Sequence, residues 1–422
     1  MLGELIWGPH RHRIAMNKLF SPPTEGGLGV PNIELYYAAA QLQWPTLWLA
    51  SPNHPEREQI QLALGLTHIY TWLSLLKPQR IRETCIMKTA RVCWRRYIMN
   101  PQETQPYSPL LPLVNLPPIQ EIQTTHDLAY WKMCGIEEMR DLFNEGTLMT
   151  FPQVMEAYDI PGAHFLKYRA VVTAITKYWP SLPIEPNTTA TLHTILSQGV
   201  SRKAVSVIYS TLLTERIQPL SALKAKWEAD LLTPISEAQW TQAKAQIKQI
   251  SRNMRLKFTQ LNYLHRTYLT PHRLHTMYET AKAGCPRCTH DKADFMHMVW
   301  QCPVIADAWE IVLDNIADIT ESAIPNTPNS CLLGIRRVNK QNRYRNKFLD
   351  LALVLYKRQI AMNWKASKAP EIKIWLKILL KWSQAEVEAM LDQTGREGNP
   401  EGKILWDGYV QKLVAKNDTR PP

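Results

Sequence analysis

Apolar residues along this chain recur at intervals of three and four positions, the spacing that places side chains on one face of an α-helix. Alternation with a period of two, which is typical of half-buried strands, is rare. A capping box made by Ser236 and Gln239 predicts the start of one helix. The residues that follow it form a single apolar stripe: Trp240, Ala243, Ile247, Ile250 and Met254. The chain is therefore predicted to be mostly α-helical.

Two further amphipathic helices are predicted, over 84–98 and 347–364. The apolar side of the first is formed by Ile86, Ala90, Cys93 and Tyr97. The apolar side of the second is formed by Leu349, Leu353, Tyr356, Ile360 and Trp364. Residues 100–119 contain six prolines and cannot form a continuous helix, so they are predicted to be a linker. A chain of 422 residues is long enough for several domains, since one domain usually takes about 100–200 residues.

The positive charge of the chain is concentrated in three segments. The net charge is +12 for the whole sequence, but it is +6 over 77–96, +7 over 238–278 and +9 over 336–368. The rest of the chain is therefore acidic, with a net charge of −10. Such segregation favours an anionic partner, and nucleic acid is the simplest one. The alternative is that these are ordinary charged helix faces in contact with water.

The candidate phosphate-binding residues come from these three segments. On helix 84–98, Lys88, Arg91 and Arg95 are predicted to share a face opposite the apolar one. On the last helix, the cations are predicted to lie opposite the stripe of Leu353 and Ile360. The full set of candidates is Lys88, Arg91, Arg95, Arg96, Lys244, Lys248, Arg252, Arg255, Lys347, Arg358 and Lys365.

One cysteine and histidine motif has the spacing of a metal site. It is C-x2-C-x8-H-x4-C, formed by Cys285, Cys288, His297 and Cys302. Two thiolates separated by two residues can hold one side of a tetrahedral zinc ion, and the histidine and the last cysteine complete it. Four protein ligands leave no open position, so the expected zinc is structural and no catalytic cofactor is expected. The alternative is four unrelated residues in a small core.

Two features near this motif have two interpretations each. His290 is an alternative to His297 as a ligand, although it lies too near Cys288 in sequence to complete the tetrahedron easily. Trp300 and Trp309 either stack on bases or pack in the core around the metal.

Several functional classes are not expected from this sequence. The seven scattered cysteines and the absence of a signal-like leader indicate a reducing, intracellular compartment. No apolar run approaches about 18 residues, so no membrane span is expected. No Asp-Asp pair occurs, and Asp127 is the first aspartate of the chain. Motifs of serine hydrolases, zinc proteases and P-loop enzymes are also absent from the sequence, so no enzymatic activity is expected.

Several segments, taken in order, resemble the C-terminal part of LINE-type (non-LTR) retrotransposon reverse transcriptases. The segments are Ile6–Gly8, Glu25–Ile33 (EGGLGVPNI), Leu35–Leu42 (LYYAAAQL), Leu274–Tyr278 (LHTMY), Cys285–Cys288 (CPRC), Asp294–His297 (DFMH), Trp300–Pro303 (WQCP), Trp309 and Leu351–Lys365. The resemblance extends from residue 1 to about residue 415.

This resemblance implies a non-catalytic fragment of that polyprotein. The endonuclease and the polymerase core would precede it, and the polymerase aspartates have no counterpart here. The four residues of the motif match the family's metal ligands, although the gap before His297 is longer than in a retroviral zinc knuckle. RNA is the implied partner, followed by target DNA and by the rest of the polyprotein. The implied locations are a cytoplasmic ribonucleoprotein and the nucleus.

Together these inferences predict a mostly α, multi-domain helical C-terminal region with a small CCHC zinc module. The predicted segments are a thumb-side remnant over 1–50, a basic helical segment over 51–99, the linker over 100–119, a helical domain over 120–284 that includes the basic stretch 238–278, the zinc module over 285–312, a basic helical region over 313–415 and a disordered tail over 416–422.

Three other interpretations are compatible with the sequence. The chain is either a standalone zinc-dependent nucleic-acid-binding protein, a helical scaffold whose basic faces bind an acidic protein, or the product of a decayed reading frame. Salt-sensitive RNA binding would separate the first from the second, and proteolysis of the expressed chain would reveal the third.

Overall fold

The computed structural model of this chain is mostly helical over the residues that it describes, which confirms the mostly α fold. It describes residues 13–50, 54–64, 69–74, 83–98, 113, 128–136, 139–144, 147–178, 202–336, 343–392 and 400–418. Within these ranges the strands are limited to β1 (Phe143–Asn144) and β2 (Thr147–Leu148). They pair antiparallel, with Phe143 opposite Leu148.

The chain divides into two compact units. The large unit combines Met1–Val30 with Ile217–Pro422, and the inserted unit is the segment between them, Pro31–Arg216. Each unit has its own cluster of buried apolar side chains. This division differs from the predicted segments, because it cuts through both 1–50 and 120–284 and places 285–312 and 313–415 in the same unit.

The chain starts in the large unit with the short helix α1 (Met16–Phe20) and the 3-10 turn Pro23–Glu25, and then enters the inserted unit. The helical elements described there are α2 (Ile33–Ala50), α3 (Pro55–Leu64), α4 (Ile69–Ser74), α5 (Cys85–Tyr97), α6 (Ala129–Met133), the 3-10 turn Met139–Leu142, α7 (Phe151–Tyr158), the 3-10 turn Gly162–His164, α8 (Phe165–Tyr178) and α9 (Ala204–Thr214). Helix α2 packs against α5 and α9. Tryptophans fill much of this core, and the fully buried ones are Trp48, Trp72, Trp94 and Trp131.

The rest of the large unit follows the inserted one. Its elements are α10 (Ser221–Leu231), α11 (Glu237–Gln249), α12 (Met254–Leu264), α13 (Pro271–Met277), a π-helical turn His297–Gln301, α14 (Pro303–Thr320), a second π-helical turn Asn329–Leu333, α15 (Arg343–Met362), α16 (Ile372–Asp392) and α17 (Pro400–Asp418). Helix α15 packs against α12, α14, α16 and α17, so it lies at the centre of the unit.

Residues 13–30 are part of the core of the large unit although they precede the inserted unit in sequence. Leu19 is fully buried in this core. The segment folds back on itself where the Val30 N–H donates to the Leu19 carbonyl over 3.0 Å. Gly27 permits this turn, since a Cβ atom there would lie 1.9 Å from the Ser21 carbonyl oxygen. His265, which follows α12, hydrogen-bonds through Nε2 to the Gly26 carbonyl over 2.7 Å.

The helix predicted after Ser236 is confirmed at its start and wrong at its end. The capping box is present, with Ser236 and Gln239 each bonding the backbone of the other. The helix stops at Gln249, because the Asn253 side chain accepts from the N–H two residues later and caps a new helix. Met254 is therefore 54% exposed instead of continuing the apolar stripe.

The apolar side of the helix predicted over 84–98 is displaced from its expected position. Helix α5 begins after Thr84, whose side chain caps it. Ile86 is 48% exposed, whereas Met87 and Trp94 are buried. The large apolar surface of Met87 and Trp94 determines which side faces the core.

The helix predicted over 347–364 is an interior helix and not an amphipathic one. Most of the expected stripe is buried, but so are the residues between its members, including Lys357, which is 1% exposed. Trp364 lies in the turn that follows α15 and packs against the core of the large unit.

The structure also bears on the predicted linker and tail. Leu113 is the described residue of the 100–119 segment, and it is fully buried in the core of the inserted unit, while the rest of that linker lies outside the described residues. Within the predicted tail, 416–418 is helical as the end of α17, so the prediction of disorder is wrong there. Residues 419–422 lie outside the described part.

Candidate metal centre and basic surfaces

The four residues of the cysteine and histidine motif come together at one point of the large unit. Their ligand atoms all lie within 4.8 Å of one another. The Cys285 and Cys302 sulfur atoms are 3.8 Å apart, and the Cys288 sulfur lies 3.4 Å from Nε2 of His297. The predicted clustering of these residues is confirmed, and the cluster could hold one metal ion.

Local backbone turns place the four ligand atoms. The Cys285 N–H donates to the His290 carbonyl over 2.8 Å, which closes the loop that carries the first two cysteines. The Asp294 carboxylate accepts from the His297 N–H over 2.8 Å at the start of the π-helical turn. That turn ends where the Cys302 N–H donates to the His297 carbonyl over 2.9 Å. Helix α14 then begins with a proline, as expected for the first turn of a helix.

Burial and hydrogen bonding set the protonation of these ligands. Burial raises the pKa of the Cys302 thiol to about 11. Burial also acts to raise the pKa of Cys285, but hydrogen bonds from the Arg287 and Cys288 N–H groups and from neighbouring thiols together lower it by more. Burial lowers the pKa of His297, so its imidazole stays mostly neutral near neutral pH. A metal ion would therefore displace thiol protons and bind a neutral imidazole.

A buried arginine ties the metal loop to the centre of the large unit. Arg287, between the first two cysteines, donates from one guanidinium nitrogen to the Met298 carbonyl over 3.3 Å. Its other terminal nitrogen donates to the carbonyls of Asn363 over 2.8 Å and Trp364 over 3.4 Å, just beyond α15. The metal loop is thus not a separate module. Sequence reasoning missed this role, because an arginine between two cysteines looks like one more surface cation.

The structure decides between the two interpretations of the residues near the motif. His290 stacks on His297, with ring centroids 4.2 Å apart, and is not among the four clustered ligands. Trp309 is 1% exposed and donates from its indole N–H to the Val299 carbonyl. The core interpretation therefore holds for Trp309, and Trp300 packs against it while remaining half-buried.

The cations predicted on α5 do not form one solvated face. Arg91 is buried and forms an ion pair with Glu83 over 2.9 Å, so its predicted placement opposite the core is wrong. Arg96 is exposed but pairs with Glu34 over 2.7 Å. Of the other two candidates, Arg95 is half-buried and Lys88 is exposed.

The second basic segment contains both paired and exposed cations. Lys244 pairs with Glu25 over 3.1 Å, and its side chain is 14% exposed. Lys248, Arg252 and Arg255 are all exposed, at the end of α11, in the following turn and at the start of α12. These three exposed residues are called here the α11–α12 corner.

The third basic segment contributes fewer accessible charges than its composition suggests. Lys347 pairs with Glu386 over 2.8 Å. Arg358 is half-buried on α15, and Lys365 is exposed in the turn that follows that helix. The prediction of an exposed basic face along α15 is wrong, because other helices cover this helix on most sides.

No protein-family model matches the chain. Among the described residues, no helix is both long and apolar enough to cross a membrane. The features that bear on function are therefore the metal-ligand cluster, with its link through Arg287, and the α11–α12 corner.

Proposed function

We propose that the large unit binds single-stranded RNA through exposed cations and that one structural zinc ion organises it. The observation that carries this proposal is the cluster of Cys285, Cys288, His297 and Cys302 in a unit that also exposes several cations. Three thiolates and one imidazole form a donor set typical of structural zinc.

The spacing of the ligand atoms supports zinc as the metal. Tetrahedral zinc with Zn–S bonds of about 2.3 Å and a Zn–N bond of about 2.0 Å requires sulfur atoms about 3.8 Å apart and sulfur about 3.5 Å from nitrogen. The Cys285 and Cys302 sulfurs are 3.8 Å apart, and the contact of the Cys288 sulfur with His297 is 3.4 Å. The zinc would hold the loop around Arg287 against the end of α15.

The α11–α12 corner supplies the proposed phosphate contacts. Its three exposed cations come from a segment that has no acidic residue between 238 and 278. Phosphate contacts of this kind are independent of sequence and weaken as salt increases. Target DNA is the second proposed partner, since the same cations would contact its phosphates.

The resemblance to LINE-type retrotransposon reverse transcriptases supports the same function. In this proposal the chain is a non-catalytic part of the polyprotein, and it holds the element's RNA near a polymerase supplied by the rest of that protein. The zinc ligands and the EGGLGVPNI segment carry the resemblance, and the latter contains Gly27 of the tight turn in the large unit. A cytoplasmic ribonucleoprotein and the nucleus are the proposed locations.

Binding of the zinc-loaded full chain to a labelled single-stranded RNA across a salt series tests the proposal. We expect the logarithm of the affinity to fall linearly with the logarithm of the salt concentration, with a slope of about −0.7 for each phosphate contact. Chelation of the zinc should abolish the binding. Weak binding with a flat slope would contradict the proposal and favour the scaffold that binds an acidic protein.

A further inference from the structure

Two aromatic side chains of the large unit form a stacked pair outside its helices. The rings of Tyr268 and Trp364 have centroids 5.1 Å apart and planes inclined by 28°. Tyr268 lies in the turn after α12, and Trp364 lies in the turn after α15. The indole N–H of Trp364 donates to the Leu269 carbonyl over 2.8 Å. Both residues are half-buried and pack against the core of the large unit, so only part of the pair is accessible to solvent.

The charges of two cations act on Tyr268, and a third cation follows Trp364 in sequence. Burial raises the pKa of Tyr268 to about 12, and the positive charges of Arg13 and Arg358 act to lower it. Lys365 directly follows Trp364 and is exposed. None of the three cations forms an ion pair with a residue in the described part of the chain.

The metal loop holds the turn that carries Trp364. Arg287, which lies between two of the clustered cysteines, donates to the carbonyls of Asn363 and Trp364. This arginine is buried, so the contact is shielded from competing water. The position of the indole thus depends on the loop that the metal would organise.

We propose that Trp364, backed by Tyr268, stacks on one unpaired base of a single-stranded nucleic acid, while Arg13, Arg358 and Lys365 contact the adjacent phosphates. This inference rests on the proposed function and adds a base-binding site to it. Aromatic rings among cations are a common means of holding single strands, because every base has a stacking face. A base inside a duplex has both faces already stacked, so the site selects single strands.

This site differs from the one that the sequence suggested. Trp300 and Trp309 lie close to the metal motif in sequence, but Trp309 is buried in the core. Trp364 is distant in sequence and comes beside the metal loop at the end of α15. Arg287 acts here as a positioning residue, since it contacts the backbone of the turn.

The test compares the full zinc-loaded chain with its W364L variant. The probes are a labelled single-stranded RNA of about 12 nucleotides, an abasic strand with the same number of phosphates, and a duplex of the same length. We expect W364L to weaken binding of the single-stranded RNA by about fivefold or more. Its affinity for the abasic strand and the duplex, and the slope of its salt dependence, should remain unchanged.

The matched control is Y278L, because Tyr278 is an exposed aromatic residue of the same unit. This variant should bind all three probes like the unsubstituted chain. A loss of affinity in Y278L as large as that in W364L would overturn the assignment of the site to Trp364.

A second measurement needs no variant and so does not depend on how W364L folds. A single-stranded RNA that carries 5-iodouridine is irradiated with the unsubstituted chain, and the crosslinked peptide is identified by mass spectrometry. An adduct at Trp364 or Tyr268 supports the site, and adducts confined to other residues overturn it.

The outcomes separate this inference from the proposed function. Salt-sensitive binding that W364L leaves unchanged for every probe overturns the base-binding site alone. Absence of salt-sensitive binding by the unsubstituted chain overturns both the site and the proposed function.

Discussion

Helix α5 of the inserted unit and the α11–α12 corner of the large unit come from segments of almost equal net charge, +6 over 77–96 and +7 over 238–278. Their charges are nevertheless placed differently. On α5, Arg91 is buried against Glu83, and the exposed Arg96 also has an acidic partner. At the corner, Lys248 and Arg255 are exposed, whereas Lys244 and Arg266 of the same segment pair with Glu25 and Asp230. The charge of a segment therefore does not measure the charge that a ligand meets, because acidic partners and burial decide how much of it is accessible.

Loss of the metal should have the largest effect, and it should destabilise the large unit but not the inserted one. The C285S/C288S variant removes two ligands, and we expect the large unit to lose its cooperative unfolding transition while the inserted unit remains protected. A ligand that is present at about a thousand times its Kd stabilises a fold by about 4 kcal/mol. Hydrogen exchange with mass spectrometry would follow each unit separately.

The control for this variant is C85S, which removes an exposed cysteine of the inserted unit. It should leave hydrogen exchange unchanged in both units. Equal deprotection of the two units by C285S/C288S would show that the effect of the metal site is not specific to the large one.

The buried ion pair of α5 should matter for stability and not for binding. R91M leaves the Glu83 carboxylate without its partner in a site where both side chains are mostly buried. Breaking such a pair costs about 3–5 kcal/mol, which denaturant unfolding would measure. K88M, at an exposed position of the same helix, should change the stability by less than about 0.5 kcal/mol. A variant R91M that lowered RNA affinity without loss of stability would instead place Arg91 in the binding surface.

The tight turn at Gly27 should be essential to the large unit, since the segment 13–30 packs against α11. In G27A the new Cβ would lie 1.9 Å from the Ser21 carbonyl oxygen, so the backbone must shift. We expect a loss of stability of about 1–3 kcal/mol, visible as a lower Tm. G408A is the matched control, because nothing lies within 4 Å of its Cβ. Gly408 lies on helix α17, so we expect G408A to raise the free energy of unfolding by about 0.5–1 kcal/mol. A similar loss of stability in both variants would contradict the role of Gly27 in the turn.

The smallest expected effect comes from removing exposed cations, either at the α11–α12 corner or on helix α5. K248Q/R255Q removes two exposed cations of the α11–α12 corner. The salt slope of RNA binding should become shallower by about 0.7 for each phosphate that these cations bind. K88Q removes the exposed lysine of α5 and should leave the slope unchanged. A shallower slope in K88Q would extend the interface to the inserted unit, as the sequence alone predicted.

The features of this molecule that could be predicted from sequence depend on contacts between residues close together in the chain. The capping box joins Ser236 and Gln239, and the metal ligands all lie between 285 and 302, so spacing alone predicts both. The predicted end of α11 is too late, because the stripe of apolar residues continues past it. The cap at Asn253 that starts the next helix is a polar residue, and apolar periodicity does not detect it.

The features that could not be predicted depend on partners far apart in the chain or on a competition between faces. Lys244 pairs with Glu25, and no local pattern connects these two positions. The side of α5 that faces the core is decided by Met87 and Trp94, and this turns Arg91 inward to meet its acidic partner. The stacked rings of Tyr268 and Trp364 meet only because α12 and α15 pack together.

The return of residues 13–30 to the large unit also affects how the protein is made. The Gly26 carbonyl bonds His265, which is 239 positions later in the chain. At a synthesis rate of about 5–20 residues per second, the ribosome delivers that partner roughly 12–50 s after the glycine. During this interval the inserted unit can fold, but Leu19 and its neighbours have no core to enter. The apolar side chains of the early segment therefore stay without their core until the second half of its own unit has emerged.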